Sequence, residues 1–422
     1  MSPAGPVSTK PPRPGYRWVI FAILALQYLL VYFHRVSPAL MSRDLVLAFS
    51  ISGTSLGILS SGYFYPYALM QLPVGVLADA WGARKTITLF SAIGAVGAIL
   101  FGMAPNFAVA TAARVLVGFG LSAVFVPAMR VCAGWFDARE YAGVSGILLA
   151  MGGVGWFVAS TPLAWMTAGF GWRVTFAGIG TLTLFLSLLT WLLVVDHPPG
   201  KATVVMAKDR PGIWDGLGRV ITSPRFWPLA GWFFFFGGIL FGFFGLWAGP
   251  YLMDVYGLSK TEVGNTLAMV ALGTMVGGPA LGVVSDRVFN GRKTVIFGAS
   301  LFAVVLWLVL FAFQGRLSRE LFFLIFFCFG VFGNGIAVVG FAAAKELFPT
   351  EIAGTAVGAA NFFAFLSAAL YQPLTGFLMD RTGASGGRYP PEAYAHVLLL
   401  YLITSLFMLL CIGLFREKAP ER

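Results

Sequence analysis

Two stretches of this sequence are too long and too apolar to be helices of a water-soluble domain. Val19 to Phe33 carries no charge, and neither does Leu321 to Ala344. About 20 apolar residues cross the hydrocarbon core of a bilayer as a helix, and similar runs recur along the whole chain. Composition agrees: 58% of the 422 residues are hydrophobic and 11% charged, with a mean hydropathy of +0.84. A soluble domain carries about 25% charged residues, so this chain lacks the polar surface to face water all round. The reading is an all-α integral membrane protein.

The charge balance then takes a different meaning. Lys and Arg number 28 against 17 Asp and Glu, a formal charge of +11. In a soluble protein that excess would suggest nucleic acid; here it marks the loops that face the cytoplasm. Cys132, Cys328 and Cys411 lie in apolar segments without CxxC spacing or a neighbouring His. They read as small core residues rather than metal ligands or a disulfide frame. No cofactor and no metal is expected.

Apolar runs between charged, Gly- or Pro-marked breaks give twelve helices: 17–41, 54–78, 86–104, 107–134, 141–167, 173–195, 226–253, 261–285, 294–314, 320–344, 352–378 and 392–415. The longest polar interval, Asp196 to Arg225, holds Pro198, Pro199, Pro211 and Pro224 and divides the chain near its midpoint. The expected organisation is a disordered cytosolic tail (1–16), a six-helix bundle (17–195), a cytosolic linker (196–225), a second six-helix bundle (226–416) and a short cytosolic tail (417–422). The Pro-rich start has no small-residue cleavage site after it, so the first helix is expected to be retained. With the N-terminus inside, cytoplasmic segments hold 18 Lys and Arg and outer loops hold 7, leaving Arg35, Arg114 and Arg130 in the membrane. That bias places both termini in the cytoplasm.

The halves repeat. Gly75-Val-Leu-Ala-Asp79-Ala-Trp-Gly82-Ala-Arg84-Lys85 closes the second helix, and Gly282-Val-Val-Ser-Asp286 followed by Gly291-Arg292-Lys293 closes the eighth. A weaker echo pairs Trp135-Phe136-Asp137 with Leu347-Phe348-Pro349. Two matching loops imply duplication and a solute path between the halves. These loops resemble the signature of the major facilitator superfamily, over nearly the whole chain. The resemblance implies a twelve-helix carrier with alternating access. It gives Gly75, Asp79, Gly82, Arg84, Lys85, Gly282, Asp286, Arg292 and Lys293 a gating role at the cytoplasmic helix ends, not solute contact.

An ionisable group inside a span is costly, so its default reading is functional. Arg35 lies about seven residues from the outer end of helix one, and Arg114 about seven from the outer start of helix four. At about 1.5 Å per residue both fall roughly 10 Å below the outer boundary. No carboxylate occupies that layer of the first half. The cheapest partner is an anion from outside, a carboxylate or phosphate held by two parallel bonds. The alternative for Arg114 is structural, bonding carbonyls of helix one; its Arg114-Val-Leu-Val-Gly118-Phe-Gly120 resembles the superfamily's helix-four signature. Arg130 lies near the inner end and can snorkel.

Tyr32-Phe33-His34-Arg35 resembles the helix-one signature of the anion:cation symporters, related to the organophosphate antiporters, and Tyr67-Ala-Leu-Met-Gln71-Leu-Pro73 resembles their second helix. The resemblance implies that Arg35 and Arg114 bind a carboxylate. His34 stands where the symporters carry a proton on Asp, Leu121 where many have Glu, and helix seven lacks the organophosphate carriers' second arginine. Those departures favour carboxylates over phosphate esters and leave two modes open, a proton carried by His34 or none. Tyr28 and Tyr32 share the face of Arg35. Tyr67, Trp247, Tyr251, Asn334 and Asn361 complete a candidate site with a basic wall facing an aromatic and amide wall.

The expected function is symport, antiport or uniport of a small organic anion, by a monomer, in a bacterial-type inner membrane. The rivals are efflux of drugs or siderophores and a transport-like receptor or assembly protein. An enzyme is not expected, because no span carries paired carboxylates, a His-rich metal set or a Ser-His-Asp candidate.

Overall fold

The computed structural model describes residues 15–198, 213–384 and 388–417. The expected N-terminal tail up to residue 14, the core of the linker at 199–212 and the last residues 418–422 lie outside these. Among the described residues eleven helices are each long and apolar enough to cross a membrane, and a bent helix pair brings the number to twelve. Helix one is Tyr16–Val36, helix three Ala83–Met103, helix five Ala138–Val158, helix nine Lys293–Ala312, helix eleven Ala353–Asp380 and helix twelve Pro391–Leu414. A short helix, Ile213–Ile221, precedes helix seven.

Prolines lie beside the breaks in helices one, two and four. A helical Pro donates no bond to the carbonyl four residues back and crowds it. Helix one, expected to reach residue 41, ends at Val36, and a separate helix Pro38–Phe49 follows. Helix two, expected as one rod, is Gly53–Ser61, Phe64–Met70 and Pro73–Trp81, with Pro66 and Pro73 beside its breaks. Helix four is Phe107–Leu121 and Phe125–Trp135, broken four residues before Pro127. Helix five is interrupted at Ala159-Ser160 and resumes from Thr161 with Pro162 in its first turn. The chain turns into helix six at Gly171, whose φ of 74° requires glycine, and helix six ends at Leu193. In the second half, helix seven runs Phe226–Gly237, Gly238–Trp247 and Ala248–Tyr256, its middle wound in wider π turns. Helix eight is Lys260–Val283 with Val284–Val288, and helix ten Arg319–Cys328, Phe329–Gly335 and Ala337–Glu346. Helix starts are set by local caps, as where Ser259 and Glu262 form a capping box.

Helices one to six pack on one another and seven to twelve on one another, and helix two meets helix eleven across the division. Glycine makes that seam possible. A Cβ on Gly57 would lie 2.5 Å from the carbonyl oxygen of Gln372 and 2.5 Å from the Cα of Pro373. Backbone cannot move aside as a side-chain tip can. Gly57→Ala is therefore expected to cost about 1–3 kcal/mol and to lower the thermal midpoint of the purified protein. Gly75→Ala, which meets nothing within 4 Å, should leave the midpoint unchanged. An equal effect of the two would remove close packing as the reason for Gly57.

The end of the molecule that the charge count assigns to the outside is bonded shut. Asp380, last residue of helix eleven, accepts the backbone N–H groups of Gly53 (2.9 Å) and Thr54 (2.8 Å) and the Thr54 hydroxyl (2.5 Å). A carboxylate of one half thus caps the first turn of a helix in the other, where the free N–H groups and the helix dipole favour negative charge. Tyr389 donates to the same carboxylate at 2.5 Å and accepts Gly53 N–H at 2.8 Å. Burial, then the bond to Asp380, pushes the Tyr389 hydroxyl well above its ordinary pKa, so it remains a donor. Lys260 of helix eight pairs with Asp44 of the short outer helix, and Thr161 donates to Asn265 at 2.7 Å.

Candidate functional site

Arg35 ends helix one at the division between the halves and is only 2% exposed. Its guanidinium carbon lies 4.3 Å from the centroid of Tyr32 and 4.7 Å from that of Tyr67, in its own half. From the other half come Phe365 of helix eleven at 4.8 Å and Phe241 of helix seven at 5.3 Å. Tyr32 is there because it precedes Arg35 by three residues, on the same helical face. Phe241 belongs to the π-wound stretch of helix seven. Among the described residues Arg35 has no carboxylate partner, and its Nε has no hydrogen bond. Ring faces attract a guanidinium and the Tyr63 and Tyr67 side chains hydrogen-bond to it, but its Nε stays without an acceptor.

Tyr28 joins the group through Tyr32, at 5.5 Å edge to face. Trp156 of helix five stacks 6.4 Å from Phe241. The seam between helices two and eleven is bonded on both sides of this layer, by Asp380 at one end and at the other by Asn361, which donates to Gln71 Oε1 at 2.7 Å. The Arg35 layer is enclosed in this conformation.

Arg114 does not converge with Arg35. It donates from Nη1 to the carbonyl of His34 at 2.9 Å and lies over Tyr63 (5.2 Å) and Phe101 (5.9 Å). The cause is Pro38. His34 is the residue whose carbonyl a helical N–H at position 38 would take, and proline has none. Arg114 fills that vacancy, with the Ser37 hydroxyl at 3.4 Å. Equal depth on two helices therefore does not give a pair of clamping arginines: Tyr63, stacked 5.4 Å from Tyr67, stands between Arg114 and the ring group around Arg35. His34 is fully buried, its ring 5.6 Å from Phe33 and 5.9 Å from Phe176 of helix six, with neither ring nitrogen bonded. It faces the interior of the first half.

The remaining candidates stand apart from Arg35. The Trp247 indole donates to the carbonyl of Gln372 at 3.1 Å. Tyr251 packs among Tyr256, Phe322 and Tyr394. Asn334 donates to Thr274 at 2.9 Å, within the second half. Sequence reasoning missed Phe241, Phe365 and Trp156. Nothing in the sequence separates them from the other aromatics, since 41 residues are Phe and 12 Trp.

The repeated loops do similar work in the two halves. Asp79 pairs with Arg130, tying helix two to helix four, so Arg130 is held and does not simply reach for solvent. Gly82, at φ 87°, leaves room for Asp196, which accepts the Arg84 N–H at 2.6 Å. The Arg84 guanidinium lies 4.6 Å from Trp191, while Lys85 is exposed. In the second half Arg292 pairs with Asp286 and, at 2.8 Å, with Glu346 of helix ten. Lys293 donates to the carbonyl of Gly413 at 2.8 Å. Gly75 and Gly282 have open space where a Cβ would stand.

A family model described as Major Facilitator Superfamily matches the chain twice, over residues 17–259 and 243–422. Among curated proteins, the chain is 26% identical over 400 residues to the probable galactarate/D-glucarate transporter GarP of Escherichia coli K12, covering 86% of this chain and 88% of the relative. It is 25% identical over 298 residues to the probable sulfoacetate transporter SauU of Cupriavidus necator H16, covering 68% and 69%. Among solved structures, it resembles the crystal structure of a bacterial homolog to human lysosomal transporter Spinster, in an inward-facing and unoccupied conformation. That match has a TM-score of 0.76 and 19% identity, and covers 97% of this chain and 100% of the other.

Proposed function

Because the chain belongs to the major facilitator superfamily and is an integral membrane protein of the transporter fold, we propose that it carries a small organic anion, a carboxylate rather than a phosphate ester. The carrying observation is Arg35: buried, at the division of the halves, with no carboxylate among the described residues to neutralise it. The relatives named for galactarate, D-glucarate and sulfoacetate support an acidic solute. In this reading the bundles at 17–195 and 226–416 rock about the Arg35 layer, with termini and linker in the cytoplasm. The loops at Gly75–Lys85 and Gly282–Lys293 brace the cytoplasmic ends, and the carrier acts as a monomer. A thermal-shift screen of the purified protein against carboxylates, phosphate esters and drug-like cations tests it. Carboxylates should stabilise the protein, and Arg35→Gln should erase their effect. Stabilisation by cations alone would favour drug efflux, and stabilisation by phosphate esters over carboxylates would reverse the solute class.

Coupling follows from His34. A proton-carrying residue must meet the solute path, and this ring is enclosed by Phe33 and Phe176 in the first half. We expect transport without proton coupling, by uniport or by exchange. Uptake should be flat between about pH 5.5 and 7.5, the range across which an ordinary histidine titrates, and His34→Asn should leave that profile unchanged. Uptake that rises toward acid pH in wild type and flattens in His34→Asn would make His34 the proton carrier.

A further inference from the structure

The short helix Ile213–Ile221, just before helix seven, has three different sides. One side packs on the second half. Val220 is fully buried and Leu217 lies against the core. A Cβ on Gly216 would stand 3.3 Å from Ile352 and 3.4 Å from Thr355, at the start of helix eleven. At 3.6 residues per turn, Trp214 and Ile221, seven apart, share a second side. Trp214 is 76% exposed and Ile221 43%. Asp215 and Arg219 are exposed on the third side, turned well away from the apolar pair.

The apolar side runs on into a surface that already faces lipid. Trp227 stands in the first turn of spanning helix seven and is half-exposed. Its indole donates to the Ile221 carbonyl at 2.9 Å, so the two helices meet along this line. Arg225, between them, is exposed. Tryptophan with a basic neighbour at the end of a span is the composition of a membrane–water boundary.

We infer that Ile213–Ile221 lies in the membrane interface of the leaflet where helix seven begins, expected to be the cytoplasmic one. Trp214 and Ile221 enter the boundary between headgroups and acyl chains, as the apolar side of an interfacial helix does. Asp215 and Arg219 remain in water. Lipid is the occupant because this side continues the lipid-facing surface at Trp227. The end of the interval between the halves is thereby fixed to the second bundle and to the bilayer.

Nitroxide labels placed one at a time at Trp214→Cys, Asp215→Cys, Arg219→Cys and Ile221→Cys test this. The background is the full chain with Cys132, Cys328 and Cys411 replaced, in nanodiscs of phosphatidylcholine and phosphatidylglycerol. The ratio of collisions with oxygen to collisions with a water-soluble nickel chelate should be several-fold higher at 214 and 221 than at 215 and 219. Equal ratios at all four positions would put the helix in water and overturn the inference. Labels at 214 and 221 shielded from both reagents would mean that a protein partner or a second copy covers this side, which overturns it equally. Should the cysteine-free background not fold, wild-type protein in nanodiscs with a diazirine-tagged phosphatidylcholine decides. Lipid adducts are expected at Trp214 or Ile221, and adducts at Trp227 with none at either would overturn the inference.

Discussion

Arg35→Ala is expected to lower affinity for the proposed anionic solute roughly 100- to 1,000-fold, with normal amounts of folded, membrane-inserted protein. Each charge-assisted hydrogen bond contributes about 1.5–3 kcal/mol and a bidentate pair makes two, about 3–6 kcal/mol in all, of which water entering the truncated site recovers part, leaving a loss of about 3–4 kcal/mol. Folding should not suffer, because Arg35 is a buried cation with no anionic partner among the described residues, and removing it relieves a desolvation cost. Arg35→Lys is the sharper variant. It keeps the charge but loses the planar fork and the stacking over Tyr32, Tyr67, Phe241 and Phe365. A loss of tenfold or more is expected, roughly one of the two bonds. Binding isotherms beside size-exclusion profiles measure both effects, and full affinity in Arg35→Lys would mean that Arg35 supplies charge alone.

Asp380→Asn is expected to open the outer end. The carboxylate accepts four hydrogen bonds, three of them from the first residues of helix two in the other half. An amide at 380 loses the charge and one acceptor oxygen. Allowing for partial solvent screening, the outer-closed state weakens by about 1–2 kcal/mol, or roughly tenfold in the ratio of closed to open. Leu56 reports on it, being 1% exposed in the closed state, beneath this latch on helix two. With Cys132, Cys328 and Cys411 replaced, a Leu56→Cys probe should react about tenfold faster with an impermeant maleimide when Asp380→Asn is added. Unchanged labelling would show that the latch does not govern access, leaving the glycine seam and the Asp44–Lys260 pair to hold that end.

The sequence carries the fold because a bilayer leaves so few solutions: apolar runs of about 20 residues can only be spanning helices, and the duplicated loops at Gly75 and Gly282 divide them into halves. Half of the site is legible for a similarly local reason. Tyr28, Tyr32 and Arg35 share one face of one helix, so helical spacing groups them. The other half depends on packing between distant segments. Phe241 and Phe365 meet Arg35 only because two glycine-lined helices approach closely, and no local pattern encodes that meeting. Arg114 was decipherable, since Pro38 follows His34 by four residues and leaves a carbonyl in need of a donor. The sequence alternative of a bond from Arg114 to a carbonyl of helix one describes this contact, whereas depth counting pairs Arg114 with Arg35. Asp380 reads in sequence as an ordinary charge at a helix end, and its role exists only once Gly53 of the other half is placed beside it.

Counterflow in reconstituted proteoliposomes tests the central claim most directly. Vesicles loaded with the unlabelled acid that binds best are diluted into a trace of the same acid carrying a radiolabel. The account predicts transient accumulation of label through the wild-type protein, unaffected by protonophore, and none through Arg35→Lys. Counterflow that persists undiminished in Arg35→Lys, or its absence for every acid that binds, would contradict a carrier that holds its solute by a carboxylate at Arg35.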